Sequence, residues 1–512
     1  MSEGRSRRSA GAPTRAARAA VAGRRVAAGT RAMSAAKGGP VGPAASGSGG
    51  ASARPLDDPQ RPDPDPGRPG SDPARSGPDP AGKAPAPGPS PESGRSRAGA
   101  SAAVGAAVVD ATVDALAEVL RLDGPADAAL RRFFRARPGL GRRDRVALAE
   151  TVFDVLRHRR RYGHLAQSMA GPLPRRLAAL SLYGRYGDAA LPGLRADADQ
   201  AATLRAASAI DPDGLPQAVR LSLPDWLHSA LLAQAAAAGE PDPALAVESL
   251  GRALLQSAPL DLRVNLLRTG RDALRAELAR EGVVAEPLAE PQTALRVAGK
   301  PALERLAAFG RGDFEVQDAG SQRLVDFVAP RRGQTVVDFC AGAGGKTLAM
   351  AAAMRSTGQI YACDVSALRL ARLAPRLARS GATNVQPLRI EHEADPRLRR
   401  LDGRAHRVLV DAPCTGTGTV RRNPELKWRL GPQDVAELAR KQSSILGQAA
   451  RLVARGGTLV YATCSLLREE NEAVADAFGA SHPGFEPAGA MCLRPEADGT
   501  DGFFATRWLR RE

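Results

Sequence analysis

Strand-like and helix-like segments alternate regularly between residues 335 and 463, and this alternation constrains the fold more than any other feature of the sequence. Short apolar runs are typical of buried strands, and the segments between them have helical spacing. Such alternation predicts an α/β fold with a doubly wound parallel sheet. The predicted strands are 335–339, 359–364, 385–390, 407–411 and 458–463, and the predicted helices are 347–354, 367–380 and 433–454.

The first of these strands leads into the glycine-rich stretch VVDFCAGAGGKT, residues 336–347. Its three glycines allow backbone amides to approach a ligand at the start of a helix. The stretch is neither a phosphate-binding P-loop, because Cys340 replaces the first glycine, nor a dinucleotide fingerprint, because Thr347 replaces the third. Asp364, at the end of the next strand, suits a ribose-binding carboxylate. On these residues, a nucleotide or adenosyl cofactor and a merely structural turn both remain open.

The first 100 residues differ in composition from the rest of the 512-residue chain. They are dominated by Ala, Gly, Pro, Ser and Arg, and we expect a disordered basic tail because so few large apolar residues are available for burial. Their first 40 residues also resemble a mitochondrial presequence, although an arginine-rich solvated tail is favoured, and Met33 is an alternative start. The net charge of +17 is only partly located here, so the remaining chain is itself basic and favours a nucleic-acid partner.

Several classes of protein are disfavoured by the same composition. No apolar run approaches the ~20 residues that a membrane-spanning helix requires. The five cysteines are too few and too scattered for a disulfide framework, and no CxxC pair or histidine cluster indicates a zinc site. We therefore expect a soluble, cytoplasmic protein without a membrane association or a metal, and a monomer.

Three ordered regions follow the tail in the predicted organisation. Helical spacing predicts an all-helical domain over residues 101–215, and mixed patterns predict a small α/β module over 216–310. The last region, 311–512, contains the alternating strands and helices. In the helical region, the run RHRRR at 157–161 is interpreted as a solvated helix face, with RNA contact as the alternative.

Two cysteines follow two strands of the predicted sheet, Cys414 shortly after Asp411 and Cys464 directly after residue 463. Either one alone is more often a small buried apolar residue. Two thiols beside a carboxylate and a cofactor loop instead indicate chemistry at C5 of a pyrimidine. A sulfur nucleophile that adds to C6 makes C5 nucleophilic toward an electrophilic methyl group, and a second group must then remove the C5 proton. Asp411 could hold N3 and the exocyclic amine of a cytosine.

Residues 311–512 resemble the Nop/Sun-type RNA cytosine-5 methyltransferases, among which the bacterial small-subunit rRNA enzymes are nearest in pattern. The helical domain and the small module are similar in kind to the N-terminal domain and the RNA-binding insertion of those enzymes. The motifs that carry the resemblance are VQDAGSQ at Val316, VVDFCAGAGGKT at Val336, ACD at Ala362, VLVDAPCTGTGTVRRNPELKW at Val408, LARKQSSIL at Leu438, GGTLVYATCSLLREENE at Gly456 and DGFF at Asp501.

The resemblance implies a Rossmann-like methyltransferase domain that uses S-adenosylmethionine, and it implies a role for each reactive residue. Cys464 would be the nucleophile that adds to C6, Cys414 would assist loss of the C5 proton and release of the enzyme, and Asp411 would recognise the base. Asp364 would bind the ribose hydroxyls, and Glu391 is the best candidate for a further acidic contact. The residues implied to contact the cofactor are Cys340, Ala341, Gly342, Ala343, Gly344, Gly345, Lys346, Asp364, Glu391 and Asp411.

The stretch RRNPELKW after Cys414 carries basic side chains beside the predicted site, and we expect Arg421, Arg422 and Lys427 to contact RNA phosphates. Ribosomal RNA is the leading substrate and tRNA the nearest alternative. A non-catalytic ribosome-assembly protein would be expected to have lost a thiol or the glycine loop. A DNA cytosine-5 methyltransferase would use Cys414 as its nucleophile.

Overall fold

The computed structural model describes residues 104–511. The predicted basic tail, residues 1–100, lies outside this part of the chain. Within residues 104–511, no helix is long and apolar enough to cross a membrane. The same residues contain no cluster of three or more metal-ligating side chains.

Ten helices form the first part of the described chain. A continuous apolar core holds the first seven together, and it includes Leu116 of the first helix and Leu156 of the third. Three further helices lie within the range predicted for the α/β module and precede its strands. The helices are α1 Ala106–Val119, α2 Ala126–Ala136, α3 Arg142–Arg157, α4 Arg159–Leu165, α5 Leu173–Tyr186, α6 Leu191–Leu194, α7 Ala198–Ala209, α8 Gln217–Arg220, α9 Asp225–Ala237 and α10 Pro243–Leu254.

A small antiparallel sheet follows, with the strand order β2-β3-β1-β4. Its fourth strand contains Phe314, whose buried ring packs into the apolar core of this sheet. The small sheet therefore extends beyond residue 310, where the predicted module ends. The order of elements along the chain is β1 Leu260–Val264, α11 Arg271–Arg280, β2 Ala285–Pro287, β3 Ala294–Val297, α12 Ala307–Arg311 and β4 Phe314–Val316.

The remaining chain builds a seven-stranded sheet with the order β10-β11-β9-β8-β5-β6-β7. Its elements are α13 Ala319–Val328, β5 Thr335–Asp338, α14 Gly345–Ala353, β6 Gln359–Asp364, α15 Ala367–Ser380, β7 Val385–Arg389, β8 Ala405–Asp411, α16 Leu426–Arg429, α17 Pro432–Ala450, β9 Val453–Thr463, α18 Glu472–Ser481, β10 Phe485–Leu493, α19 Pro495–Asp498 and β11 Phe503–Arg510. The ladders joining β7, β6, β5, β8 and β9 are parallel, whereas β10 and β11 pair antiparallel.

This arrangement confirms the predicted doubly wound α/β fold. Consecutive residues of β5 point to opposite faces, so that Val336 joins one apolar core and Val337 the other. The strand order reverses at β5, which lies between β6 and β8, and ligands of such sheets bind beyond the carboxyl ends of the strands at this reversal. The predicted helix 433–454 ends earlier than expected, because Val453 pairs with Ala405 and begins β9.

The basic run at 157–161 is not the solvated face that its composition suggested. The Arg157 side chain is buried and donates to the carbonyl oxygen of Arg421 at 3.0 Å. Arg160 donates to the carbonyl oxygen of Leu223 at 2.6 Å. The run therefore connects α3 and α4 to other parts of the fold.

Candidate active site

The two predicted catalytic thiols meet at the carboxyl edge of the seven-stranded sheet. Cys414 follows β8 and Cys464 follows β9, and their sulfur atoms are 3.3 Å apart. The loops that carry them are in close contact, because the Gly418 amide donates to the Cys464 carbonyl oxygen at 2.9 Å. A Cβ on Gly418 would lie 2.8 Å from that same oxygen, so only glycine permits this approach.

The environment of Cys414 favours its protonated form. Its hydrogen bond with Cys464 and its burial raise the pKa of the Cys414 thiol well above the usual range. Cys340 is not part of the thiol pair, and burial likewise raises the pKa of the Cys340 thiol well above the usual range. The Cys340 side chain instead packs against an apolar core of the seven-stranded sheet.

Lys346 and Asp411 form an ion pair beside the thiols. Lys346 Nζ lies 2.7 Å from Asp411 Oδ2, and the two side chains are 15% and 25% exposed. Burial opposes the charged form of Lys346, but the attraction of Asp411 outweighs it and raises the Lys346 pKa, with a further contribution from Cys464. The loop therefore carries a positive charge that pairs with Asp411 and interacts electrostatically with Cys464.

The glycine loop joins β5 to α14 in a conformation that depends on glycine. Gly342 and Gly344 have φ angles of +57° and +83°. A Cβ on Gly344 would overlap the side chain of Leu373, whereas a Cβ on Gly342 would meet nothing within 4 Å. The loop thus packs closely against α15 on one side and leaves open space beside Gly342 on the other.

Asp364 ties this loop to the end of β6. Its Oδ2 accepts from the Gly342 amide at 2.8 Å, and its Oδ1 accepts from the Ser366 amide at 2.7 Å. Because each carboxylate oxygen has two lone pairs, both retain the capacity to accept a further hydrogen bond from a ligand hydroxyl. The open space beside Gly342 and this carboxylate together fit an adenosyl cofactor.

Glu391 has a less definite position. It follows β7 at the same edge of the sheet, but its side chain is 75% exposed and lies 3.6 Å from Arg397. Within residues 104–511, the ion pair of Glu391 is with Arg397 and not with the glycine loop, so the role of Glu391 at the cofactor stays a prediction. The neighbouring Asp395 is buried and accepts from the Glu391 amide at 2.8 Å, which fixes the backbone of this turn.

The structure contradicts phosphate contact by Lys427. Its side chain is fully buried, and Nζ donates to the carbonyl oxygen of Arg157 at 2.9 Å. Burial lowers the Lys427 pKa to about 7. The neighbouring Trp428 donates from Nε1 to the Leu156 carbonyl oxygen at 2.6 Å. Both side chains therefore attach α16 to the C-terminal end of α3.

Arg421 and Arg422 are likewise engaged within the protein, and phosphate contact by either one stays a prediction. Arg421 is buried, with Nη2 3.8 Å from Asp501. Arg422 donates to Asp501 at 2.6 Å and to Asp318 at 2.7 Å. These carboxylates belong to the motifs DGFF and VQDAGSQ, and their charge was the available signal that the arginines have partners inside the chain.

Asp338 was not predicted as a site residue, and it lies beneath the glycine loop. Its Oδ2 accepts from Thr347 Oγ1 at 2.6 Å, while Oδ1 has no hydrogen-bond partner among the described residues. Burial raises the pKa of Asp338 to about 7, and the charges of Asp411 and Asp364 act in the same direction. A carboxyl that titrates near neutrality thus supports the first turn of α14.

Replacing Asp338 by Asn should change how stability depends on pH. Between about pH 4 and pH 7 the folded protein keeps a proton that the unfolded chain has lost, so wild-type stability falls as pH rises through this window. A difference of about three pKa units between the folded and unfolded states lowers the free energy of unfolding by about 4 kcal/mol across this window. The asparagine side chain can still accept from Thr347 but carries no charge, so urea unfolding should show a flatter profile from pH 5 to pH 8.

Asp402→Asn removes an exposed carboxylate and is the matched control. Its unfolding profile should follow that of the wild type. Parallel wild-type and Asp338→Asn profiles across this range would contradict a proton held on Asp338.

Comparison with known proteins identifies the family. The family described as 16S rRNA methyltransferase RsmB/F matches residues 325–508, and an RsmF/B-like ferredoxin-like domain matches 223–304. The protein named probable ribosomal RNA small subunit methyltransferase B from Synechocystis is 32% identical over 440 residues, which are 76% of this chain and 96% of that one. The chain belongs to the RsmB/F family of methyltransferases. As a member of this family with a Rossmann-like sheet, it uses S-adenosylmethionine as methyl donor.

Further relatives agree with this membership. Ribosomal RNA small subunit methyltransferase B from Sodalis glossinidius is 37% identical over 309 residues, covering 58% of this chain and 68% of its own. The crystal structure of PH0851 has a TM-score of 0.66 at 25% identity and covers 79% of this chain and 99% of its own. NSun6 from Pyrococcus horikoshii, solved with SFG, has a TM-score of 0.50 at 20% identity, covers 56% of this chain and 98% of its own, and shares the fold.

Proposed function

We propose that this RsmB/F family member transfers a methyl group from S-adenosylmethionine to C5 of a cytosine in ribosomal RNA. The observation that carries the proposal is the pair of thiols 3.3 Å apart beside the Lys346–Asp411 ion pair. Methyl transfer to a nitrogen or a hydroxyl oxygen does not require a sulfur nucleophile. Activation of C5, in contrast, requires a nucleophile at C6 and a base at C5.

Cys464 acts as the nucleophile in this proposal. Its thiolate forms a bond to C6, and the electron pair of the C5–C6 double bond moves so that C5 becomes nucleophilic. Cys464 is close enough to Lys346 to contribute to the raised Lys346 pKa, and this proximity to the ammonium group supports the assignment. Asp411 accepts from the exocyclic amine of the cytosine and positions the base against the thiol.

Cys414 completes the reaction. When bound, the cofactor supplies an electrophilic methyl group, which C5 takes up. Once the Cys464 sulfur is bonded to C6, its hydrogen bond and charge no longer hold the proton on Cys414, which releases that proton to solvent. The Cys414 thiolate then removes the C5 proton, the C5–C6 double bond forms again, and the bond between C6 and the Cys464 sulfur breaks. Burial, which contributes to the raised pKa of Cys414, also makes its thiolate a stronger base than that of an exposed cysteine.

The cofactor residues are proposed on the geometry of the loop. The loop of residues 340–346 borders open space beside Gly342, and the buried Asp364 carboxylate at its edge suits the ribose hydroxyls. Lys346 belongs to this loop, and its Nζ pairs with Asp411 Oδ2 at 2.7 Å. Glu391 follows β7 at the same edge of the sheet and is the proposed further acidic contact.

Ribosomal RNA as the substrate rests on the family and on the printed names of its relatives, with tRNA as the alternative. A basic chain of net charge +17 suits either polyanion. The target cytosine must leave its stack to reach the thiols, which favours a loop or an open helix in the RNA.

Transfer of a labelled methyl group tests the proposal. We expect label in small-subunit rRNA and expect nucleoside analysis to locate it in 5-methylcytidine, with tRNA and DNA as parallel substrates. Label in tRNA alone would overturn the substrate, and label in a nucleoside other than 5-methylcytidine would overturn the reaction.

A further inference from the structure

Glu470 is a fully buried carboxylate close to the thiol pair, in the short segment between β9 and α18. Four hydrogen bonds converge on it from three residues. Oε1 accepts from the Thr415 amide and from Gln442 Nε2, both at 2.9 Å. Oε2 accepts from the hydroxyls of Thr415 and Ser465, both at 2.5 Å. A buried carboxylate with this many donors is fixed in position.

The residues that Glu470 holds are the immediate neighbours of the two thiols. Thr415 follows Cys414 in the chain, and Ser465 follows Cys464. The carboxylate therefore bridges two loops that are 50 residues apart in the sequence. In each loop it binds the residue that directly follows the cysteine. Neither loop segment is a helix or strand here, so its backbone depends on such side-chain contacts.

Side chains around Glu470 extend the same connection. Gln442 Nε2 also donates to the carbonyl oxygen of Pro413, on the other side of Cys414, at 2.9 Å. Asn471 accepts from the Thr463 hydroxyl and donates to the Ser465 carbonyl oxygen at 3.0 Å. Both residues flanking each thiol are thus attached to one buried network.

We propose that Glu470 is a positioning residue for the methyl-transfer reaction, which clamps the Cys414 loop to the Cys464 loop and so sets the separation of the two thiols. This inference rests on the proposed function, because it assigns a purpose to the separation. Glu470 does not touch the reacting base. It acts through Thr415 and Ser465, and the thiols must stay close enough to act on C6 and C5 of one base.

Glu470→Ala removes all four acceptor interactions and should lower kcat by about 10²-fold or more, since misplacement of reacting groups by about 1 Å costs this much. KM for S-adenosylmethionine should change less than about threefold, because the hydrogen bonds of the Glu470 carboxylate go to Thr415, Gln442 and Ser465 and not to residues 340–346. Glu470→Gln should retain intermediate activity, because its amide oxygen can accept from the Thr415 amide and its NH₂ can donate to the hydroxyls.

Disulfide capture measures thiol separation without RNA or methyl transfer. Diamide, a thiol oxidant, should join Cys414 and Cys464 rapidly in the wild-type protein, with the linked peptides identified by mass spectrometry. Capture should slow at least about tenfold in Glu470→Ala and less in Glu470→Gln. Asp261→Ala removes another buried carboxylate, which accepts from Arg296 in the four-stranded sheet, and should leave the capture rate unchanged.

Wild-type rates of both capture and turnover in Glu470→Ala would overturn the positioning role. If Glu470→Ala does not fold, wild-type capture combined with wild-type kcat in Glu470→Gln would overturn it equally. The test is separable from that of the proposed function, because a protein that methylates no cytosine can still show capture that depends on Glu470.

Discussion

Cys464→Ala should reduce methyl transfer to background, a loss of at least about 10³-fold in kcat. The variant lacks the sulfur that adds to C6, so C5 of the cytosine never becomes nucleophilic. Binding of RNA and of S-adenosylmethionine should persist, because the ion pair between Lys346 and Asp411 and the glycine loop are unaffected. Labelled methyl transfer and filter binding, measured on the same preparation, separate the two effects.

Cys492→Ala is the control for Cys464→Ala. Cys492 is an exposed free thiol on β10, so the variant should retain wild-type turnover. Substantial methyl transfer by Cys464→Ala would show that another group performs the addition or that C5 is not the acceptor.

Cys414→Ala should instead accumulate a covalent protein–RNA complex. Addition by Cys464 and methylation of C5 require only the remaining residues. The variant lacks the thiol that lies 3.3 Å from the Cys464 sulfur, so no base is in place to remove the C5 proton. Elimination slows, and the enzyme stays bonded to the methylated cytosine. A denaturing gel with labelled RNA should show a band of retarded mobility that the wild-type enzyme gives only weakly.

The double variant Cys414→Ala with Cys464→Ala should give no such band, because it has no nucleophile. Normal turnover by Cys414→Ala without an adduct would contradict the assigned role of Cys414. An adduct that persists in the double variant would assign the nucleophile to another residue.

The elements that place the thiols can be predicted from sequence because each signal is local. Five strands are recognisable from apolar runs bounded by glycine or polar residues, and parallel strands bring their carboxyl ends to one edge. That rule alone brings Cys414 and Cys464 together. Strand β10 escapes prediction because most of its residues are exposed and no alternating apolar pattern marks it.

Residues that pair across long sequence separations cannot be predicted in the same way. Arg422 bonds with Asp318 and Asp501, and Lys427 bonds with the Arg157 carbonyl, 270 residues away. The local sequence around a basic residue is the same whether its side chain is solvated or pairs with a carboxylate that is distant in the sequence. Glu470 escapes prediction for the same reason, since it lies in the charged run REENE and only the fold shows that it is buried.

The position of the covalent bond in the Cys414→Ala complex is the sharpest test of nucleophilic catalysis by Cys464. The RNA of the isolated complex would be digested to nucleotides, the protein to peptides, and the modified peptide sequenced by mass spectrometry. We predict a cytosine nucleotide carrying one added methyl group on the peptide that contains Cys464. Attachment at Cys340 or at any other residue, or a complex whose nucleotide is not a cytosine, would contradict the proposed mechanism.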